Sequence, residues 1–332
     1  MRLAVLGNGG FGTALALTAH RAGHAVALWG HDPDYTREIA RTRTNPRYLP
    51  GVVLPAEIHV DAQPEQVLPG REAVIVGVPT QHVRAVVTRL RELFPPRAPV
   101  VSLAKGLEQG SALRPSQILG ELLPADTPVL VLSGPSHAEE VGRSLPTAVV
   151  LAGRDEAAVQ TMQAALSTAA FRIYRNKDPL GVELCGALKN VMALAAGIAD
   201  GLGFGDNAKA AILSRGIVEM ARYGVAEGAD LHTFFGLAGM GDLAVTAFSR
   251  HGRNRAFGER IGRGETVAQI LASTRTVAEG VWTAQVVQAR ARRLQVEMPL
   301  CDAVCGVLFG GMPAAHAVST LMGRDRKDEI VT

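Results

Sequence analysis

The segment Gly7-Asn8-Gly9-Gly10-Phe11-Gly12 constrains this chain more than any other. It follows an apolar run, Leu3–Leu6, without a gap, and opens a segment, Thr13–Ala22, whose apolar residues recur at helical spacing. A glycine triplet alone carries little. Placed between a strand and a helix, G-x-G-x-x-G starts a dinucleotide-binding βαβ unit. There Gly7 makes the tight turn, Gly9 lets a pyrophosphate approach the backbone, and Gly12 lets the helix pack on the sheet. The unpaired N–H groups of the helix start bind the phosphates. The alternative is a strand–helix turn that holds no ligand.

A second run, Ala25–Trp29, ends at Gly30, His31 and Asp32. An NAD site usually carries an acid here for the ribose hydroxyls. His31 could instead donate to a 2′-phosphate while Asp32 caps the next helix. The reading favours NADP(H), with NAD(H) as the alternative.

Further short runs, Val74–Val78, Val100–Leu103, Val129–Leu132 and Thr147–Ala152, show little period-2 alternation, as expected of strands buried on both faces of a parallel sheet. Helix-period segments such as Gln81–Leu93 alternate with them, which predicts a Rossmann-type, doubly wound α/β domain that Phe171–Tyr174 closes. Beyond Pro179 only helical patterns follow: Val182–Gly201, Ala208–Glu227, His232–Phe235, Arg253–Gly262, Val267–Leu271, Val281–Leu294 and Leu300–Phe309. The expected organisation is a dinucleotide-binding domain over 1–176 and an all-helical substrate-binding domain over 177–332, with a cleft between them.

A length of 332 residues fits about two domains at roughly 150 residues each. The hydrophobic share, 47%, excludes disorder, and a net charge of +3 is too small to imply nucleic acid. Cys185, Cys301 and Cys305 form no C-x-x-C pair and read as reduced, buried thiols of a cytoplasmic protein. No metal is implied. Ala187–Ala199, the most apolar long stretch, is interrupted by Lys189 and Asn190 and falls short of the roughly 20 residues of a membrane span. Of 34 basic residues only five are lysines: 105, 177, 189, 209 and 327. Arginine does not readily replace a lysine that must give up a proton, so each is worth a question.

Two of them stand out. Lys105, in Val101-Ser102-Leu103-Ala104-Lys105-Gly106, lies just past a strand's carboxyl end, where open α/β sheets bind ligands. Lys189 sits within Gly181–Asn190, an apolar helix in which an unpaired ammonium costs several kcal/mol, so a polar cleft beside it is the expectation; snorkelling to the surface is the alternative. Leu132–Ala138 ends another strand in a tight turn with a free hydroxyl, and Gly239-Met240-Gly241-Asp242 sets an acid in a glycine-rich turn. Arg250-His251-Gly252-Arg253-Asn254-Arg255 gathers cations and an amide at a helix start, either a phosphate cradle or a solvated turn. Val277-Ala278-Glu279-Gly280 either reaches the cofactor or caps a helix.

The set G-N-G-G-F-G-T-A-L-A, N-P-R-Y-L-P-G, V-P-T-Q, K-G-L-E, S-G-P-S-H-A-E-E-V, G-V-E-L-C-G-A-L-K-N-V, D-G-L-G-F-G-D-N-A-K-A-A, G-D-L and R-N-R resembles the bacterial NAD(P)-dependent sn-glycerol-3-phosphate dehydrogenases, in order from Leu3 to about Arg324. That resemblance implies reversible reduction of dihydroxyacetone phosphate to sn-glycerol 3-phosphate for phospholipid synthesis. It implies Lys189 as proton donor and acceptor, and Lys105 in contact with substrate and nicotinamide. Gly134, Ser136, Asp242, Gly252, Arg253 and Asn254 would line the substrate. Gly10, Phe11, His31, Ala138, Arg253, Val277 and Glu279 would contact the cofactor, with Tyr48 a weaker candidate. The chain departs from the family's usual arginine at His31, serine at Gly252, aromatic at His137 and serine at Thr80. A homodimer is plausible from the apolar helical half, and no membrane insertion is expected. Two rival readings are a two-domain reductase of hydroxy acids, acyl thioesters or ketopantoate, and a non-catalytic dinucleotide sensor.

Overall fold

The computed structural model describes residues 1–249, 252–274, 278–326 and 328–329. The strands are β1 (Arg2–Leu6), β2 (Ala25–Trp29), β3 (Thr44–Asn45), β4 (Leu49–Val53), β5 (His59–Asp61), β6 (Ala73–Val76), β7 (Val100–Ser102), β8 (Val129–Ser133), β9 (Thr147–Gly153) and β10 (Phe171–Asn176). Eight form one sheet in the order β10-β9-β8-β7-β6-β1-β2-β5, and β3 pairs with β4 as a separate hairpin. The order reverses at β1, between β2 and β6, so the glycine turn after β1 opens at the switch point of the sheet. Every strand run expected from the sequence lies in this sheet; the inner strands are buried on both faces, as the absence of alternation implied, whereas the edge strand β10 alternates, with Arg172 and Tyr174 exposed.

One feature departs from a wholly parallel sheet. β9 runs antiparallel to β8, and β10 pairs parallel with β9. The only helix between β8 and β9 is Ala138–Gly142, five residues. Such a helix rises about 7.5 Å, less than half the ~17 Å of a five-residue strand, and cannot return the chain for a parallel crossover.

The helices of the first half are α1 (Gly10–Arg21), α2 (Pro33–Thr42), α3 (Pro64–Val67), α4 (Thr80–Leu90), α5 (Pro115–Leu122), α6 (Ala138–Gly142) and α7 (Glu156–Leu166). They cover two apolar layers, one on each face of the sheet. From Pro179 the described residues are helical: α8 (Pro179–Gly201), α9 (Asp206–Ala226), α10 (Leu231–Phe235), a π-helical turn (Leu237–Gly241), α11 (Asp242–Phe248), α12 (Arg253–Gly262), α13 (Val267–Ser273), α14 (Glu279–Arg293), α15 (Pro299–Phe309) and α16 (Ala314–Met322).

Helix α8 is the axis of this half. By length and mean hydropathy (1.4 over 18 residues) it could cross a membrane, yet 94% of that window is buried inside the fold. Asp178 caps it through Gly181 N, with Pro179 in the first turn. Glu183 ties it to the start of α5, accepting from Ser116 N (2.8 Å) and from Arg114 Nη1 (2.5 Å). Against α12 the two backbones touch. A Cβ on Gly197 would lie 2.0 Å from Arg255 O, and one on Gly258 2.2 Å from Leu194 O. Cys185, Cys301 and Cys305 are free and buried among these helices.

Candidate active site

The carboxyl ends of β1, β2, β7 and β8 share one edge of the sheet. At the first, Gly7 adopts φ +113°, a conformation L side chains rarely reach, and a Cβ there would meet Gly77 O at 2.7 Å. A Cβ on Gly12 would strike Gly7 O at 2.0 Å, whereas one on Gly9 would meet nothing within 4 Å. Gly9 is the N-cap of α1 and no side chain caps that end. A bare helix start beside open space is a cradle fitted to a pyrophosphate. Phe11, half-buried, packs on the apolar layer beneath, and Tyr48 O and the Ala138 Cβ flank Gly10.

At the end of β2, His31 is exposed. Asp32 caps α2, its Oδ1 accepting from Tyr35 N at 3.1 Å, while its Oδ2 pairs with Arg47 Nη1 at 3.3 Å. Both oxygens of the acid that would hold ribose hydroxyls are therefore engaged within the protein. Arg47, which sequence reasoning missed, stacks 3.9 Å over the Tyr35 ring.

The ends of β7 and β8 meet α8 and α11. Asp242 is 1% exposed and holds both lysines: Lys105 Nζ at 2.8 Å from Oδ2 and Lys189 Nζ at 2.5 Å from Oδ1. Lys105 Nζ also donates to Gly134 O (3.1 Å), which accepts from Ser136 Oγ as well (2.9 Å). Lys189 is 6% exposed and donates to Thr246 Oγ1 at 2.7 Å. Thr246 stands four residues after Asp242 on the same helix face; that spacing was the signal for it. The lysine pair therefore faces a polar enclave rather than snorkelling to the surface. Asp242 itself opens α11 rather than lying in a turn. The π-helical turn delivers it there, where Gly239 passes so close to Phe234 O that a Cβ would lie 1.9 Å away.

The electrostatics follow from that enclosure. Burial lowers the Lys189 ammonium to about 8, with the Lys105 charge adding to the lowering and Asp242 opposing it. Burial raises the Asp242 carboxyl, but the two ammonium groups outweigh it and hold it below the usual range. His137, half-buried nearby, is lowered by burial and by the charge on Lys189.

Asn190, beside Lys189, donates to Lys105 O (3.0 Å) and accepts from Asn254 Nδ2 (2.9 Å), so the start of α12 is linked to the lysine loop. Asn254 Oδ1 accepts from Gly280 N (3.0 Å). Gly252 is the N-cap of α12 without a side-chain cap, and Arg253, its first residue, is exposed. A Cβ on Gly252 would come 2.9 Å from Thr246 O, so the turn here leaves no room for the serine usual in the resembled family. Glu279, at the start of α14, accepts from Thr80 N and Oγ1, each at 3.2 Å, joining the helical half to α4; burial pushes its carboxyl up. Val277, Arg250 and His251 lie outside the described residues.

The profile described as NAD-dependent glycerol-3-phosphate dehydrogenase N-terminus matches residues 2–159, and that of the C-terminus matches residues 178–319. The chain belongs to the NAD-dependent glycerol-3-phosphate dehydrogenase family. It is 47% identical over 327 residues to a glycerol-3-phosphate dehydrogenase [NAD(P)+] of Rhodospirillum rubrum, covering 98% of this chain and 93% of that one. A protein of the same name from Desulfitobacterium hafniense is 46% identical, with 99% and 93% covered. The crystal structure of glycerol-3-phosphate dehydrogenase from Coxiella burnetii superposes with a TM-score of 0.92 at 36% identity, covering 97% of this chain and 99% of that one. Membership of this family over both halves of the chain sets aside the two-domain reductase and sensor readings.

Proposed function

We propose that the chain catalyses the reversible reduction of dihydroxyacetone phosphate to sn-glycerol 3-phosphate with a nicotinamide dinucleotide, feeding glycerophospholipid synthesis. The observation that carries this is the Lys105–Asp242–Lys189 enclave linked through Asn190 to the uncapped start of α12. A nicotinamide dinucleotide bound there would supply the hydride for the ketone carbon. Lys189 Nζ gives its proton to the carbonyl oxygen as charge builds there, and takes one back in the reverse direction. A pKa of about 8 suits both directions, where an ordinary lysine near 10.4 would be a poor acid-base group. Lys105 stabilises the developing oxyanion and would contact a bound nicotinamide, while Asp242 keeps both cations in place. Gly134 and Ser136 line the substrate.

Arg253, Asn254 and the amides after Gly252 grip the phosphate, so binding energy at a remote group orients the reacting carbon. Gly7, Gly9, Gly10, Phe11 and Gly12 would hold the dinucleotide, and His31, Ala138, Arg253, Val277 and Glu279 would be further contacts. The engagement of both Asp32 oxygens beside the Arg47 guanidinium, with the His31 imidazole at the same strand end, supports NADP(H) over NAD(H). We further assign the binding domain to 1–176 and the substrate domain to 177–332, and place the protein in the cytoplasm as a homodimer. NAD(P)H oxidation measured with dihydroxyacetone phosphate, with ketopantoate and with neither tests the reading. Consumption that is faster with ketopantoate, or absent with every substrate, overturns it.

A further inference from the structure

The motif D-G-L-G-F-G-D-N-A-K-A-A plays no part in the enclave, although it holds one of the five lysines. The first of its two acids, Asp200, lies in the last turn of α8, where the helix dipole disfavours a negative charge. Two cations hold it there. Lys209 Nζ on α9 pairs with Oδ1 at 2.7 Å, and Arg255 Nη1 on α12 with Oδ2 at 2.7 Å. All three side chains are at most 16% exposed, so these pairs are screened far less than surface ones.

The same cations grip both flanks of the turn that leads to Arg253 and Asn254. Arg255 Nε donates to Ser249 O at 2.9 Å, while Glu259 Oε2 takes its Nη1 at 3.1 Å. Lys209 Nζ sits 5.2 Å over the ring of Phe248, the last residue of α11. One carboxylate therefore fastens the exit of α11 and the first turn of α12 to the helix that carries Lys189.

We infer that Asp200 is a positioning residue, which through Arg255 and Lys209 sets the start of α12 at the place and angle where it grips the substrate phosphate. This rests on the reading above that Arg253 and Asn254 bind that phosphate. Asp200 touches neither substrate nor reacting atoms. Its contribution is realised only with a substrate that bears the phosphate.

The test compares Asp200→Asn, Arg255→Lys and Arg253→Ala, each checked for native circular dichroism and the first two also for native NADPH affinity, with kinetics at saturating NADPH throughout. Kinetics use dihydroxyacetone phosphate and the phosphate-free dihydroxyacetone. The Asn amide offers one acceptor where two cations need one each, and Arg255→Lys replaces the planar fork that holds Asp200, Ser249 O and Glu259 together by a single ammonium. Both variants are expected to lose about tenfold or more in kcat/KM for the phosphorylated ketone, through KM, and less than about threefold for dihydroxyacetone. Adding Asp200→Asn to Arg253→Ala is expected to cost little more than Arg253→Ala alone, because both act on one grip. Equal losses on the two ketones, or a loss confined to kcat, overturn the positioning role. So does an unchanged KM in Asp200→Asn beside a raised KM in Arg253→Ala. An unchanged KM in Arg253→Ala overturns the phosphate reading itself. Should Asp200→Asn fail to fold, Arg255→Lys decides by the same criteria.

Discussion

Replacing Asp242 by asparagine removes the charge that favours protonated Lys189 and leaves burial and the Lys105 charge, which disfavour it. Burial and Lys105 both push the ammonium down from 10.5, and Asp242, 2.5 Å away, holds the result at about 8. An opposite charge at such a distance shifts a pKa by about 1–3 units, so its loss is expected to bring Lys189 to about 6. The sign is fixed by which form the environment favours: without the carboxylate, the neutral amine wins at lower pH. At pH 7 the native group is about nine-tenths protonated and the variant's about one-tenth, roughly a tenfold loss of proton donor. The asparagine keeps the size of the side chain, so this loss should be recovered on acidification, unlike one caused by displaced geometry. The assay is kcat for ketone reduction as a function of pH. The native limb falls as pH rises through about 8, and in Asp242→Asn it is expected to fall near 6. Lys105→Met, which removes a like charge, is expected to move the limb the other way. A limb that stays at 8 in Asp242→Asn would falsify the electrostatic assignment.

Lys189→Ala is expected to reduce turnover by a factor of about a hundred or more while NADPH still binds, as measured by its fluorescence. Arg253→Ala should raise KM for dihydroxyacetone phosphate, the kinetic counterpart of a lost anchor. Gly197→Ala puts a Cβ 2.0 Å from Arg255 O, a backbone atom, and is expected to cost about 3 kcal/mol or abolish folding, as read by urea denaturation. Glu219, 4% exposed, accepts from Leu300 N and Cys301 N, and burial raises its carboxyl to about 7. A raised acid favours the fold while protonated and is a liability as pH rises through 4.5 to about 7. Glu219→Gln should therefore flatten the fall of stability over that window and gain up to about 3 kcal/mol above it. No gain at pH 8 would contradict this.

Where local physics decides the outcome, the sequence could be read. The β1–glycine–α1 succession dictates its own backbone, and an ammonium in an apolar helix demands a partner wherever the chain finds one. Asp242 could be singled out as an acid in a glycine-rich turn, but that it pairs with both lysines could not be read from spacing. Asp242 is 53 residues from Lys189 and Thr246 is 57, and no spacing rule spans such a separation. Arg47 was missed for a related reason. Its role depends on Asp32, and whether that acid faces solvent or the protein is settled by how α2 meets the β3–β4 hairpin. The reversed β9–β10 pair was legible in part, since a five-residue helix cannot return a parallel strand. Asp242 at a helix start was not, because the π-helical turn before it depends on the close passage over Phe234.

The interlocked glycines of α8 and α12 have a consequence for which substrates fit. With Gly197 on Arg255 O, Gly201 on Glu259 O, Gly258 on Leu194 O and Gly262 on Ile198 O, no side chains lie between these backbones to flex or repack. The ammonium of Lys189 and the anion grip proposed at Arg253 are thus fixed to one bar, and on that proposal their separation acts as a gauge of length. A ketone whose carbonyl stands one carbon farther from its phosphate presents the oxygen at the wrong mark. The bar cannot stretch to meet it.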